Sequence, residues 1–255
     1  MSFKHKIIIK MERQIKLLVL VFSLLITRFL FADDIKVENK EFNEKNDELR
    51  YEIKVNYPQL KGMSNEDAQV KINSYIEYFI TQSIKDSKNE MKDWQIPDEL
   101  DFNSSFEFNY GVDNLNNDVF SIRIENFSYY AGAAHPSTYI SSMNFNLTNG
   151  EYINFSELFR SDSDYLQYIS DFCIFDLKRS GRENEIEFDD EWLNTGAGPI
   201  EENFKSYNIT EKGLIITFND YQVGPYVIGQ QEVLIPYEKI TNIVNLDGLL
   251  KPFLN

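Results

Sequence analysis

Hydrophobic and polar positions alternate along much of this chain, and the alternation is broken twice by helical spacing. Between Leu49 and Leu60 the residues Tyr51, Ile53, Val55 and Tyr57 share one face and Pro58 closes the run, which predicts a strand. Ser64 follows as an N-cap, with Asp67 three residues on in the position of a capping box. Ala68, Ile72, Tyr75, Ile76, Phe79, Ile80 and Ile84 then recur at helical spacing to about Lys92. This predicts the longest helix, with its whole stripe turned to the core. Three strands are expected next, over Asp101–Val112, Val119–Tyr129 and Tyr139–Leu147. Asn149-Gly150 makes a tight hairpin turn, and Glu151–Phe155 returns. Ser156 opens a short helix. A medium helix spans Ser161–Arg179, and its end is set by Gly181. An acidic connection, Glu183–Glu191, and the breaker Gly196–Pro199 lead to strands at Lys205–Ile209, Leu214–Asn219 and Glu232–Ile235. Short helices are expected at Pro236–Ile240 and Leu246–Leu250. The order of elements argues an α+β fold: antiparallel sheets with one long and one medium helix, in two linked halves, 49–158 and 159–255.

The N-terminus has a different character. Lys4, Lys6, Lys10, Arg13 and Lys16 precede the apolar run Leu17–Thr27, and Ala32 offers a cut before Asp33-Asp34. Residues 1–32 read as a signal peptide, starting at Met1 or Met11. Arg28 interrupts the run short of the ~20 residues of a spanning helix. The rival reading is an uncleaved anchor at the outer face of the inner membrane, the one case in which a membrane would be a partner. Residues 33–48 are polar and without period, and read as a linker. The expectation is an exported protein, periplasmic or secreted.

Charge narrows the partners. The chain carries 25 Lys and Arg against 41 Asp and Glu, a net −16. Removal of residues 1–32 would make it more acidic still. Such a surface repels nucleic acid and anionic lipid and attracts cations or a cationic protein. Cys173 is the only cysteine, so no internal disulfide can form. It sits among Tyr165, Ile169, Phe172 and Leu177, the pattern of a buried thiol. One cysteine and a single histidine beyond residue 32 do not make a zinc set, and no calcium-loop spacing or phosphate-binding glycine loop is present. No metal and no cofactor are expected.

Two segments concentrate the candidate chemistry. The first, from Tyr129, holds Tyr129, Tyr130, Gly132, His135, Pro136 and Ser137 around the small residues Ala131–Ala134. The second, Asn219–Pro236, holds Tyr221, Gly224, Pro225, Tyr226 and Gly229. Rigid Gly/Pro/Tyr loops between strands present recognition surfaces, and fixed tyrosines anchor proteins and sugars. Each residue has a plainer reading beside it. His135 can simply tie down its own loop, and Tyr221 and Tyr226 can fill a core edge. Catalysis by His135 would need an orienting partner that no motif of known spacing supplies.

The run Gly132–Tyr139 (GAAHPSTY), the Asn149-Gly150 turn, the Ser156–Phe159 start (SELF) and Tyr221–Tyr237 (YQVGPYVIGQQEVLIPY) together resemble a known bacterial module. It is similar to the extracytoplasmic module of lysozyme-sensing anti-sigma factors, a module also found ahead of the catalytic domain in one type of peptidoglycan deacetylase. The likeness runs over roughly residues 50–245. It implies an α+β module outside the cytoplasm that, in one branch, binds lysozyme through loops matching 131–137 and 224–229 here. Neither sigma regulation nor deacetylation carries over, since the residues that would perform them are not in this sequence. The expectation is a stand-alone, exported, non-catalytic binding module for a lysozyme-like cationic protein or a peptidoglycan fragment. The alternatives are a peptidoglycan-acting enzyme using His135 as acid/base and a structural envelope protein.

Overall fold

The computed structural model describes residues 35–116 and 118–254. The expected signal peptide at 1–32 lies outside the described residues. The first layer is a five-stranded sheet in the order β1-β2-β3-β4-β5, formed by Lys36–Asn46, Tyr51–Lys61, Ser104–Asn116, Val119–Tyr129 and Ser137–Asn146. Helix α1, Glu66–Asp93, connects β2 to β3, and these two strands run parallel while the other pairs are antiparallel. A crossover of that length is what a parallel pair requires. The sheets are thus mostly, but not wholly, antiparallel.

The expected linker at 33–48 is corrected: Lys36–Asn46 is an edge strand, paired with β2 along its full length. Its charged residues hid it. Lys and Glu on an edge strand discourage further pairing, and they also erase the apolar alternation that marks a strand. Local ties hold it: Glu44 accepts from Lys88 Nζ of α1 at 2.5 Å and from the Tyr51 hydroxyl at 2.7 Å.

Helix α1 is capped by Asn65 rather than Ser64; its side chain accepts the Ala68 N–H at 3.1 Å. Ala68, Ile72, Ile76 and Ile80 are buried against β2–β5, but Tyr75 stands 44% exposed on the flank of the stripe, not in the core. The Asn149-Gly150 turn is present, yet its return is a single bridge, Phe145 to Tyr152, instead of a strand.

The second layer contains the three-stranded antiparallel sheet β6-β7-β8 (Tyr207–Ile209, Gly213–Phe218, Gln231–Pro236) and helix α2, Tyr165–Asn184. Gly181, expected to end α2, lies inside it under Phe188. Helix α3, Asp190–Gly196, occupies part of the expected acidic connection, and α4 spans Tyr237–Ile240. The core of this layer includes Cys173, Phe204, Tyr207 and Phe218, and it also takes in Val119, Ile153, Phe155 and Leu158 from the preceding residues. Among the described residues no helix is long and apolar enough to cross a membrane.

Candidate functional site

Strand β5 begins at Ser137, and the loop before it, 130–136, faces the segment that joins β7 to β8. The joining segment is fixed from below. Asn219, buried at the end of β7, accepts the Ile140 N–H through Oδ1 at 2.7 Å and donates Nδ2 to the Ile140 carbonyl at 3.1 Å. Gln230 Nε2 donates to the Thr138 carbonyl at 3.0 Å and to Asn219 Oδ1 at 3.2 Å. Trp192 Nε1 of α3 donates to the Tyr221 carbonyl at 2.9 Å, and Gln222 Nε2 donates to the Gly196 and Asn203 carbonyls. Both ends of the 220–230 loop are therefore clamped to β5 and α3. Asn219 entered the sequence reading only as the start of its segment, and Gln230 and Trp192 were not singled out; Trp192 lies well before the Gly-Pro-Tyr loop in the chain and carries no local mark.

On this base the two loops meet. The His135 ring stacks on Tyr226 with centroids 3.9 Å apart and planes 20° apart. Its Nε2 lies 3.1 Å from the Tyr221 hydroxyl and its Nδ1 2.8 Å from the Pro136 carbonyl. A carbonyl can only accept, so Nδ1 carries a proton, and in the neutral ring Nε2 then receives the Tyr221 O–H. Tyr221 has φ +64, a left-handed backbone that costs a tyrosine about 1 kcal/mol or more. Gly229 closes the loop at φ +65, with open space where a Cβ would stand. His135, Pro136, Ser137, Tyr221, Pro225 and Tyr226 thus form one exposed to half-buried rim, and Val227 at its tip is 87% exposed. Beside Tyr226 lies an open cleft of about 490 Å³, whose walls include Glu125 and Asp220.

The remaining loop candidates go elsewhere. Tyr130 packs between Trp94 and Phe106 and hydrogen-bonds Glu90 of α1, while burial, first, and that carboxylate push its pKa up. Tyr129 stacks on Phe102, and Gly132 rests against Pro97. These three fasten the loop to the far end of α1 and are not part of the rim. Gly224 is buried: a Cβ there would come 2.4 Å from Ile228 Cδ1. Cys173 is a buried thiol whose pKa is raised by burial, as its apolar neighbours implied. Among the described residues no cluster of three or more His, Cys, Asp or Glu is placed to hold a metal.

The rim joins parts of the chain that two different families describe. Residues 43–138 match the family of the deacetylase PdaC, and residues 156–238 match DUF3298, a family of proteins of unknown function. His135 lies in the first match, Tyr221 and Tyr226 in the second. Over 199 residues the chain is 25% identical to the peptidoglycan-N-acetylmuramic acid deacetylase PdaC of Bacillus subtilis. The alignment covers 78% of this chain and 40% of that protein. It is also 25% identical over 115 residues to the immunogenic protein MPT64 of Mycobacterium tuberculosis, covering 45% of this chain and 47% of the relative. The chain thus matches less than half the length of either curated relative. A DUF3298-family structure from Bacteroides fragilis superposes with a TM-score of 0.59 at 14% identity, covering 84% of this chain and 95% of its own. A second, from Pseudomonas aeruginosa, gives 0.59 at 13%, covering 83% and 94%. These two likenesses establish the shared α+β fold alone.

Proposed function

We propose that this chain is a non-catalytic binding module for a ligand of the cell envelope, and that its partner at the rim is a cationic, lysozyme-like protein. The observation that carries the reading is the His135–Tyr226 stack with Tyr221 closing on the same ring. Two loops about ninety residues apart are locked into one outward-facing aromatic edge. Aromatic anchors held rigid before contact lose little entropy on binding. Glu125 and Asp220 beside them, on a chain of net −16, favour a basic partner and speed its approach. The resemblance to lysozyme-sensing modules and the likeness to a peptidoglycan deacetylase point the same way, toward a place outside the cytoplasm.

Reading the rim as an acid/base site is less well supported. The two ring nitrogens of His135 face a phenol and a backbone carbonyl, and no carboxylate is hydrogen-bonded to it among the described residues.

Titration calorimetry of the protein with hen lysozyme at low salt is expected to show saturable binding that weakens as salt rises. Tyr226→Ala and His135→Ala are each expected to weaken it about tenfold or more, a loss of about 1.4 kcal/mol. No heat at low salt, or unchanged affinity in both variants, would remove the assignment.

A further inference from the structure

A second concavity, walled by several aromatic rings, lies away from the rim. It opens where α1, β5 and the turn Glu201–Phe204 meet, with a volume of about 450 Å³, inside the range of small-molecule sites. We propose that this cavity is a subsite for the hexopyranose rings of a neutral glycan.

The walls supply the reason. Tyr75 comes from α1, Tyr139 from β5 and Tyr152 from the chain just after β5. Tyr75 stacks on Tyr152 at 5.3 Å and 21°, and meets the buried Phe145 edge-on at 5.4 Å, so its ring is held in place while 44% of the residue stays open. Tyr139 is 53% exposed. Among the described residues, none of the three hydroxyls has a hydrogen-bond partner within the chain. Burial, and after it Tyr75, pushes the Tyr152 pKa up to about 12, as expected for a phenol at the floor of a recess.

Flat aromatic faces whose hydroxyl tips are not taken up by groups of the chain are what a pyranose ring requires: its C–H face packs on the ring and its hydroxyls bond the rim. The mouth argues for a neutral guest. Glu202 is already paired with Lys205 at 3.3 Å, which leaves Glu201 as the one unbalanced charge there. Two serine hydroxyls of the wall are used internally, Ser142 on Asn208 and Ser206 on the Ile140 carbonyl. The site is separate from the rim. Successive residues of β5 point to opposite sides, so Thr138 lines the rim cleft and Tyr139 lines this cavity. The proposal does not depend on the rim's partner.

The test is calorimetry and ligand-observed NMR on the whole protein with tetra-N-acetylchitotetraose, cellotetraose and hexa-arginine. At least one tetrasaccharide is expected to saturate. Tyr139→Ala, an exposed side chain whose loss leaves the fold intact, is expected to weaken it about tenfold. Tyr75→Phe, which keeps the stacked ring and removes the hydroxyl, is expected to weaken it severalfold. Tyr226→Ala is expected to leave it unchanged. Three results would overturn the proposal: no saturation by either saccharide at millimolar concentration, equal affinity in Tyr139→Ala, or occupancy by hexa-arginine alone. Loss of saccharide binding in Tyr226→Ala would move the glycan to the rim and overturn it as well.

Discussion

Tyr221 is where the chain accepts local strain. A tyrosine at φ +64 is held by the Asn219 carbonyl, which receives the Gln222 N–H, and by Trp192 on its own carbonyl. The conformation aims its hydroxyl at His135. Strain kept at an exposed position usually serves what the side chain does, since an unstrained residue would be as easily accommodated. Asparagine tolerates the left-handed region without the ring. Tyr221→Asn is therefore expected to keep the unfolding free energy within about 0.5–1 kcal/mol of the parent. The same change should weaken lysozyme binding about tenfold. Parallel denaturation and calorimetry would separate the two effects, and a variant that binds normally would leave the strain without a role. The sequence displayed His135, Tyr221 and Tyr226 openly, because single residues among Gly and Pro stand out. It did not display their convergence. That depends on Asn219 and Gln230, whose amides bridge to β5 across about eighty and ninety positions, a relation no local pattern encodes.

Strand β6 shows how one element is keyed onto another by polar side chains. It lies across β4 and β5, and it is bound there by amides and hydroxyls rather than by a backbone ladder. Asn208 donates to Ser121 Oγ and to the Ile122 carbonyl, both at 2.9 Å, and accepts from Ser142 Oγ at 2.7 Å. Asn144 donates to the Tyr207 carbonyl at 2.8 Å and accepts the Ile209 N–H at 3.1 Å. All of these groups are buried, so each lost partner leaves an unpaired polar atom in the interior. Asn208→Ala is expected to cost about 2–4 kcal/mol in urea denaturation, and a loss under about 0.5 kcal/mol would show that β6 is held by its apolar neighbours instead. The Gly150 turn makes a related point at its own contact. With φ +75 and a Cβ position only 2.6 Å from the Ala68 carbonyl oxygen, it seats the turn on the first turn of α1. Elements with one apolar face were legible: β4 was read to its end residues and β2, β5, β7 and β8 to within a few. β6 was expected too, over Lys205–Ile209, but the polar contacts that key it were not visible, and a strand without an apolar face was missed. β1, with Lys, Glu and Asn on both faces, passed for linker, and Asn208, which opens an Asn-Ile-Thr sequon, gave no hint of a buried network.

At the scale of the whole molecule, charge acts on stability and on recognition in opposite directions. The chain has 41 acidic and 25 basic residues, and most of its ion pairs, such as Lys45–Glu52 and Lys251–Asp247, are exposed and contribute little. Arg123 on β4 makes the most enclosed pair. It grips Asp113 with Nε and Nη2 at 3.0 and 2.7 Å and reaches Glu232 of β8 with Nη1 at 2.7 Å, so one guanidinium ties the two sheets together. Its pKa is raised by the hydrogen bonds to Asp113, then by the charges of Asp113 and Glu232, so the guanidinium stays charged across the accessible pH range. Apart from this triad, the dominant long-range term is repulsion among carboxylates. Raising ionic strength from about 0.01 M to about 0.15 M shortens the screening length from about 30 Å to about 8 Å. That relieves self-repulsion over most of the molecule while leaving the part-buried Arg123 contacts almost untouched. The thermal midpoint is therefore expected to rise with sodium chloride over this range. Association with a basic partner at the rim should weaken over the same range, because the attraction that speeds encounter is screened by the same ions. Scanning calorimetry and binding titrations in one salt series measure both slopes. A midpoint that falls with salt would mean that attractive surface pairs outweigh the excess of carboxylates. A binding slope of zero would assign the rim's affinity to its aromatic edge alone, and would remove charge as the reason for choosing a basic partner.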